Sequence, residues 1–166
     1  MAGPRRSREP KHPLDCHERA LRLLSVRPRS RHELGSRLLL AGFEAEAVRE
    51  ELDRLEAVRL LDDASFARAV AEHQVKVRHA GRRAVFSALA AKGVDRGTIE
   101  ETLASLGGDE AVRAEELARE RARRLAGLPP EKAYARLVGL LQRRGYDGSV
   151  ARSAARSAVS RSSEDD

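Results

Sequence analysis

Apolar residues recur along the chain at three- and four-residue intervals, and the pattern is interrupted at Pro28, Gly42, Gly81, Gly93, Gly107-Gly108, Pro129-Pro130 and Gly145. That period puts apolar side chains on one face of an α-helix, and glycine and proline mark where helices stop. Strand signals are scarce, since β-branched runs are few and no Asn-Gly or Asp-Gly turn joins alternating segments. The pattern predicts an all-α chain with helices over residues 15–26, 30–41, 44–58, 62–78, 82–92, 95–106, 109–127, 131–144 and 147–159.

The breakers expose a repeat. LLLAGFEAEAV (38–48), LAAKGVDRGTI (89–99) and LQRRGYDGSV (141–150) share a glycine, a bulky apolar residue and an acid, with the glycines at 42, 93 and 145. Leu38, Leu89 and Leu141 stand four residues before the glycine, and Leu34, Val85 and Leu137 stand eight before, so all six face one way. Each glycine can adopt the left-handed conformation that ends a helix, the next apolar residue can pack back, and Glu44, Asp95 or Asp147 can start the following helix. A lone three-helix unit of about 50 residues buries little surface, whereas units stacked in series share a core. The expected architecture is three tandem three-helix repeats forming an elongated, curved solenoid. Repeat 1 covers 14–61, repeat 2 covers 62–107 and repeat 3 covers 108–159, flanked by a basic disordered tail at 1–13 and a C-terminal tail at 160–166.

LLDDASFARAVAEH (60–73) sets two acids before an apolar run and closes on a histidine. Adjacent helical residues point about 100° apart, so Asp62 and Asp63 do not converge as an acid/base pair. One of them, Asp62 or Asp63, is expected to cap the fourth helix, with Phe66, Val70 and Val77 following on one face and His73 on or beside it. SRHE (30–33) reads as a capping box that starts a helix and nothing more. The histidines show no HxxxH spacing, and no CxxC, phosphate loop or GxSxG elbow occurs, so no catalytic residue, metal site or cofactor is expected. Cys16, the single cysteine, suits a reducing compartment and reads as a small apolar filler. Neither a secretory signal nor an apolar run of about 20 residues is present, which makes the cytoplasm the default and excludes a membrane role.

Charge adds one feature. The chain carries 32 Lys plus Arg against 26 Asp plus Glu, a net charge of +6, with only four lysines. A GC-rich genome would raise arginine in the same way, so composition alone leaves the bias open. Its distribution is more telling. The middle helix of each repeat and its approach are basic, with Arg27, Arg29, Arg31 and Arg37, then Lys76, Arg78, Arg82, Arg83 and Lys92, then Lys132, Arg136, Arg143 and Arg144. EAEAVREELDRLE, in the third helix of repeat 1, holds six acids against two arginines. Stacked middle helices would form a basic stripe suited to an acidic protein surface or to phosphates. Of the aromatic residues only Tyr134 looks free to stack on bases, and the helix following residues 30–41 is acidic, which disfavours a duplex-reading hairpin.

RSRHELGSRLLLAGF, VRLLDDASFARAVAEH, GRRAVFSALAAKGV and LLQRRGY together resemble the RecX family of regulatory proteins, of actinobacterial type, over about Leu14 to Val159. The resemblance implies a monomeric, non-enzymatic modulator, usually an inhibitor, of the RecA recombinase, acting in DNA repair, homologous recombination and the SOS response. Such a protein docks in the groove of the RecA–DNA filament and suppresses ATPase and strand exchange. The basic residues of the middle helices and their approaches, Lys92 excepted, are then the candidates for filament or DNA contacts. Two other readings stay open: a DNA-binding protein that competes with RecA for the strand, and an adaptor for an unrelated acidic partner.

Overall fold

A computed structural model describes residues 14–162. Among them the chain forms nine α-helices and no strand: α1 Cys16–Val26, α2 Arg31–Leu40, α3 Ala45–Ala57, α4 Asp63–Arg78, α5 Arg82–Ala90, α6 Arg96–Ser105, α7 Glu110–Ala122, α8 Pro130–Arg143 and α9 Gly148–Ser162. A 3-10 turn, Arg123–Leu125, follows α7, so that helix stops short of its predicted end at 127. The expected all-α set of three tandem three-helix repeats is what forms. The N-terminal tail expected over 1–13 lies outside the described residues, as do 163–166, while α9 continues through Ser162 instead of stopping at 159. The chain divides into two compact units, Met1–Phe66 with Lys92–Val94, and Ala67–Ala91 with Asp95–Asp166.

In the first unit Leu34, Leu38 and Leu55 are fully buried among Ala20, Val48, Leu52 and Leu61, with Cys16, Leu23, Leu24 and Phe43 packed around them. The helix ends are made by local chemistry. Asp15 closes a capping box with Glu18 on α1, and Ser30 closes one with Glu33 on α2. α2 ends at Gly42, whose φ is 94°, and the Phe43 amide turns back to donate to the Leu38 carbonyl at 3.3 Å. Glu44 occupies the N-cap of α3 without a side-chain bond, because its extra methylene carries the carboxylate past the amides a shorter acid would reach. α3 ends without glycine: Arg59 takes φ 58°, and the Leu60 amide donates to the Leu55 carbonyl.

The Asp62–Asp63 pair divides its work between two helices. Asp62 accepts from the Ser65 amide at 2.9 Å and caps α4, as expected. Asp63 accepts from the Arg31 amide at 2.7 Å, satisfying a free donor in the first turn of α2. Ser30 also does more than start α2, since its hydroxyl donates to the Lys92 carbonyl. A Cβ on Gly93 would lie 2.3 Å from Cγ of His32, so the segment Lys92–Val94 is seated closely on the N-terminus of α2.

The second unit repeats this joint with different atoms. The Gly81 amide donates to the Arg144 carbonyl at 2.8 Å, and the Arg83 amide to the Gly145 carbonyl at 3.1 Å. A Cβ on Gly145 would fall 2.4 Å from the Ala84 nitrogen, so the C-terminal corner of α8 rests backbone to backbone on the N-terminus of α5. Glu110, the first residue of α7, accepts from the Arg82 amide at 2.7 Å, the counterpart of the Asp63 bond to Arg31. α8 has Pro130 in its first turn, which brings no amide to satisfy there. Alanines at 114, 118 and 122 of α7 and at 151, 154, 155 and 158 of α9 are buried together with Leu117, Leu137, Leu141 and Tyr146. Small side chains let these helices approach closely.

All six repeat positions chosen from the glycine spacing, Leu34, Leu38, Val85, Leu89, Leu137 and Leu141, have no exposed surface. Gly93 and Gly145 have φ of 70° and 85°, and Asp95 and Asp147 cap α6 and α9 by accepting from Thr98 and Ser149. Two expectations about α4 fail. Val77 is 62 % exposed and His73 is exposed, while Ala67 and Ala71 are fully buried and take the inner positions. Tyr134 is not free either; it packs against the α7–α8–α9 core.

Candidate functional site

The twelve basic candidates separate by what already holds them. In the first unit Arg27 gives two hydrogen bonds to Glu33, at 3.1 and 3.2 Å. Arg29 is only 8 % exposed; its Nε donates to the Leu23 carbonyl, and burial followed by the charges of Arg27 and Arg37 pushes its pKa below the ordinary value. Arg31 bonds Asp53 at 2.7 Å and Glu56 at 2.5 Å on α3; burial disfavours its charge, but these carboxylates outweigh burial and raise its pKa. Arg37 is exposed.

In the second unit Lys76 pairs with Glu72 one turn away on α4. The Arg82 guanidinium donates to the Leu103 carbonyl at 3.1 Å, and that of Arg144 donates to the Arg78 carbonyl. Arg29, Arg31, Arg82 and Arg144 are therefore committed to the fold. Among the described residues Arg37, Arg78, Arg83, Lys132, Arg136 and Arg143 carry no ion pair. The Arg83 charge does help depress the Asp147 carboxyl, after the hydrogen bonds from Ser149.

Two of the open arginines border a groove of about 650 Å³ formed by α8, the end of α7 and the 3-10 turn. Arg136 and Arg143 come from α8, where residues 135, 136, 139, 140 and 143 share a face. Arg121, Arg124 and Leu125 come from the opposite wall. The spacing of Arg121, Arg124 and Leu125 also marks one helical face, but their sequence context reads as an ordinary solvated helix. One-turn pairs Glu115–Arg119 and Glu120–Arg124 also form along this stretch, at 3.9 and 3.4 Å.

Burial, followed by the charges of Glu51 and Asp15, pushes the Cys16 thiol up, which leaves it a poor nucleophile. His17 Nδ1 lies 2.7 Å from the buried Glu51 carboxylate and ties α1 to α3. Among the described residues no group of three or more His, Cys, Asp or Glu could hold a metal ion, and no helix is long and apolar enough to cross a membrane.

Family models match three consecutive parts of the chain: "RecX, first three-helix domain" over residues 16–55, "RecX, second three-helix domain" over 62–103 and "RecX, third three-helix domain" over 109–154. The chain belongs to the RecX family. A Regulatory protein RecX of Mycobacterium sp. (strain KMS) is 41 % identical over 159 residues, covering 90 % of this chain and 85 % of its own. That of Mycolicibacterium smegmatis is 44 % identical over 140 residues, covering 79 % and 72 %. The crystal structure of RecX from Lactobacillus salivarius superposes with a TM-score of 0.79 at 18 % identity, over 86 % of this chain and 94 % of that one. At that identity the likeness speaks for the RecX fold alone. Each of the three matched RecX domains contains one of the repeated glycines, Gly42, Gly93 or Gly145, and these RecX relatives are named as regulatory proteins.

Proposed function

We propose that this RecX-family chain is a non-enzymatic regulator, inhibitory in sense, of the RecA recombinase. It binds as a monomer in the groove of the RecA–DNA filament, in the cytoplasm, and restrains ATPase and strand exchange during recombinational repair. The repeats that make the contacts span 14–61, 62–107 and 108–159. The observation that carries this reading is the ordered match to all three RecX domains across residues 16–154. The contacts fall to the open cations Arg37, Arg78, Arg83, Lys132, Arg136 and Arg143, because the remaining candidates are already held by carboxylates or carbonyls.

Competition with RecA for DNA is the second reading, favoured by those same unpaired arginines. It is weakened by the aromatic residues: Phe43, Phe66, Phe86, Tyr134 and Tyr146 are all at least partly buried and offer no stacking platform. RecA ATPase on single-stranded DNA, titrated with this chain beside a measurement of its affinity for naked DNA at the same salt, separates the two. Filament regulation gives suppression far below the concentration that coats free DNA. Coincident curves give competition for the strand, and an unaffected RecA refutes both.

A further inference from the structure

The groove between α7 and α8 has a composition that chooses its occupant. Its floor is apolar, made by Leu125, Ala135 and Leu140, and its rim carries Arg121, Arg124, Arg136 and Arg143. Glu120 lies 3.9 Å from Arg121 and 3.4 Å from Arg124, which partly neutralises one wall. Arg136 and Arg143, on the other wall, meet no carboxylate among the described residues. Nε of Arg121 is buried and has no hydrogen-bond acceptor.

Gly139 lies on the same face in the interior of α8, where glycine weakens a helix. Its missing side chain leaves the groove open between the two α8 arginines, and a Cβ there would stand 3.2 Å from Nη1 of Arg143. An apolar trough with cationic walls is the complement of an amphipathic peptide segment whose apolar face enters the trough and whose carboxylates meet the rim. A phosphodiester strand would use the rim and leave the floor without a partner.

We propose that this groove docks an acidic amphipathic segment of a protein partner. The identity of the partner rests on the RecA reading, but the chemistry of the groove does not. The test uses the full chain and three fluorescent probes of similar length: a peptide with leucine at i, i+3, i+4 and i+7 and glutamate elsewhere, an oligoglutamate, and an oligothymidylate. Anisotropy titrations should show the amphipathic peptide binding at least about tenfold more tightly than oligoglutamate, since only the former fills the floor.

Arg136→Glu with Arg143→Glu should weaken that peptide by about tenfold or more at low salt. Gly139→Leu should weaken it comparably while leaving oligothymidylate binding unchanged. Should Gly139→Leu fail to fold, as read by circular dichroism, the exposed arginine pair still decides the matter. Equal affinity for the two peptides, absent peptide binding, or oligothymidylate as the tightest probe and the one lost in the arginine variant would each overturn the proposal. The RecA assay keeps the two readings apart. Inhibition of RecA by a chain that binds no peptide sinks the groove proposal and spares the regulatory one, while peptide binding by a chain that leaves RecA untouched does the reverse.

Discussion

Replacing Gly145 by alanine tests whether the repeated glycine is only a helix terminator or also a docking surface. Gly145 has φ 85°, and Gly108 has nearly the same conformation at φ 86°. An L-residue in that region costs about 1–2 kcal/mol, and alanine recovers about 0.4–1 kcal/mol by restricting the unfolded chain. Gly108→Ala should therefore destabilise by only about 0.5–1 kcal/mol, since its added Cβ meets nothing firmer than the end of the Arg113 side chain at 3.2 Å. At Gly145 the Cβ would lie 2.4 Å from the Ala84 backbone nitrogen and must push the corner of α8 off α5. That movement sacrifices the Gly81–Arg144 and Arg83–Gly145 bonds, about 0.5–1.5 kcal/mol each, for a total of about 1.5–4 kcal/mol. Urea unfolding followed by circular dichroism gives the stabilities, and amide hydrogen exchange at Gly81 and Arg83 reads the joint directly. Gly145→Ala should abolish protection at those two amides. Equal stabilities within about 0.5 kcal/mol, with protection retained, would show that the corner of α8 bears no weight on α5.

The acids that reach across to a neighbouring middle helix should behave as caps: Asp63→Ala and Glu110→Ala should each cost about 0.5–2 kcal/mol in thermal or urea unfolding, and a change under a few tenths in both would remove them from the joint. Reversing Arg82 and Arg144 to glutamate should destabilise by about 1–3 kcal/mol in total, because each donates to a main-chain carbonyl. Reversing the exposed Arg83 and Arg143 should cost under about 0.5 kcal/mol each, so only the second pair can report on binding; equal melting of the two variants would contradict this. Acid should weaken the fold in a defined window. Hydrogen bonds from Thr98 and Ser149 hold the Asp95 and Asp147 carboxyls below their ordinary values, and at Glu33 the Arg27 bond and the charges of Lys92 and Arg27 outweigh burial to the same effect. Depressed carboxyls contribute stability that is complete above their unfolded range, near pH 4, and is lost as pH falls through the lower folded values. Stability should thus be flat from neutral pH to about 5 and decline below about 4, and a melting temperature that rises on acidification would refute the assignment.

Features set within a helix turn or two were legible in the spacing of residues along the chain. Six buried repeat positions, Leu34 through Leu141, follow from the spacing to Gly42, Gly93 and Gly145, and the caps at Ser30, Asp62, Asp95 and Asp147 follow from side chains that bond amides two or three residues ahead. Those interactions close within a few residues, so their partners lie in the same short stretch of sequence. The ends of α3 and α4 also fall within a residue of their expected places at 58 and 78, although Arg59 and His79 take positive φ there without a glycine. The fate of the charged side chains depended on how the helices pack. Asp63 beside Asp62 serves another helix, Arg82 and Arg144 are spent on carbonyls, and Arg136 and Arg143 remain open over an apolar trough that also recruits Arg121 and Arg124. Their partners are main-chain atoms or side chains from other helices, and a main-chain carbonyl reads the same at every position of a sequence. Which arginine meets one depends on how helices pack, and packing is the step that local spacing does not encode.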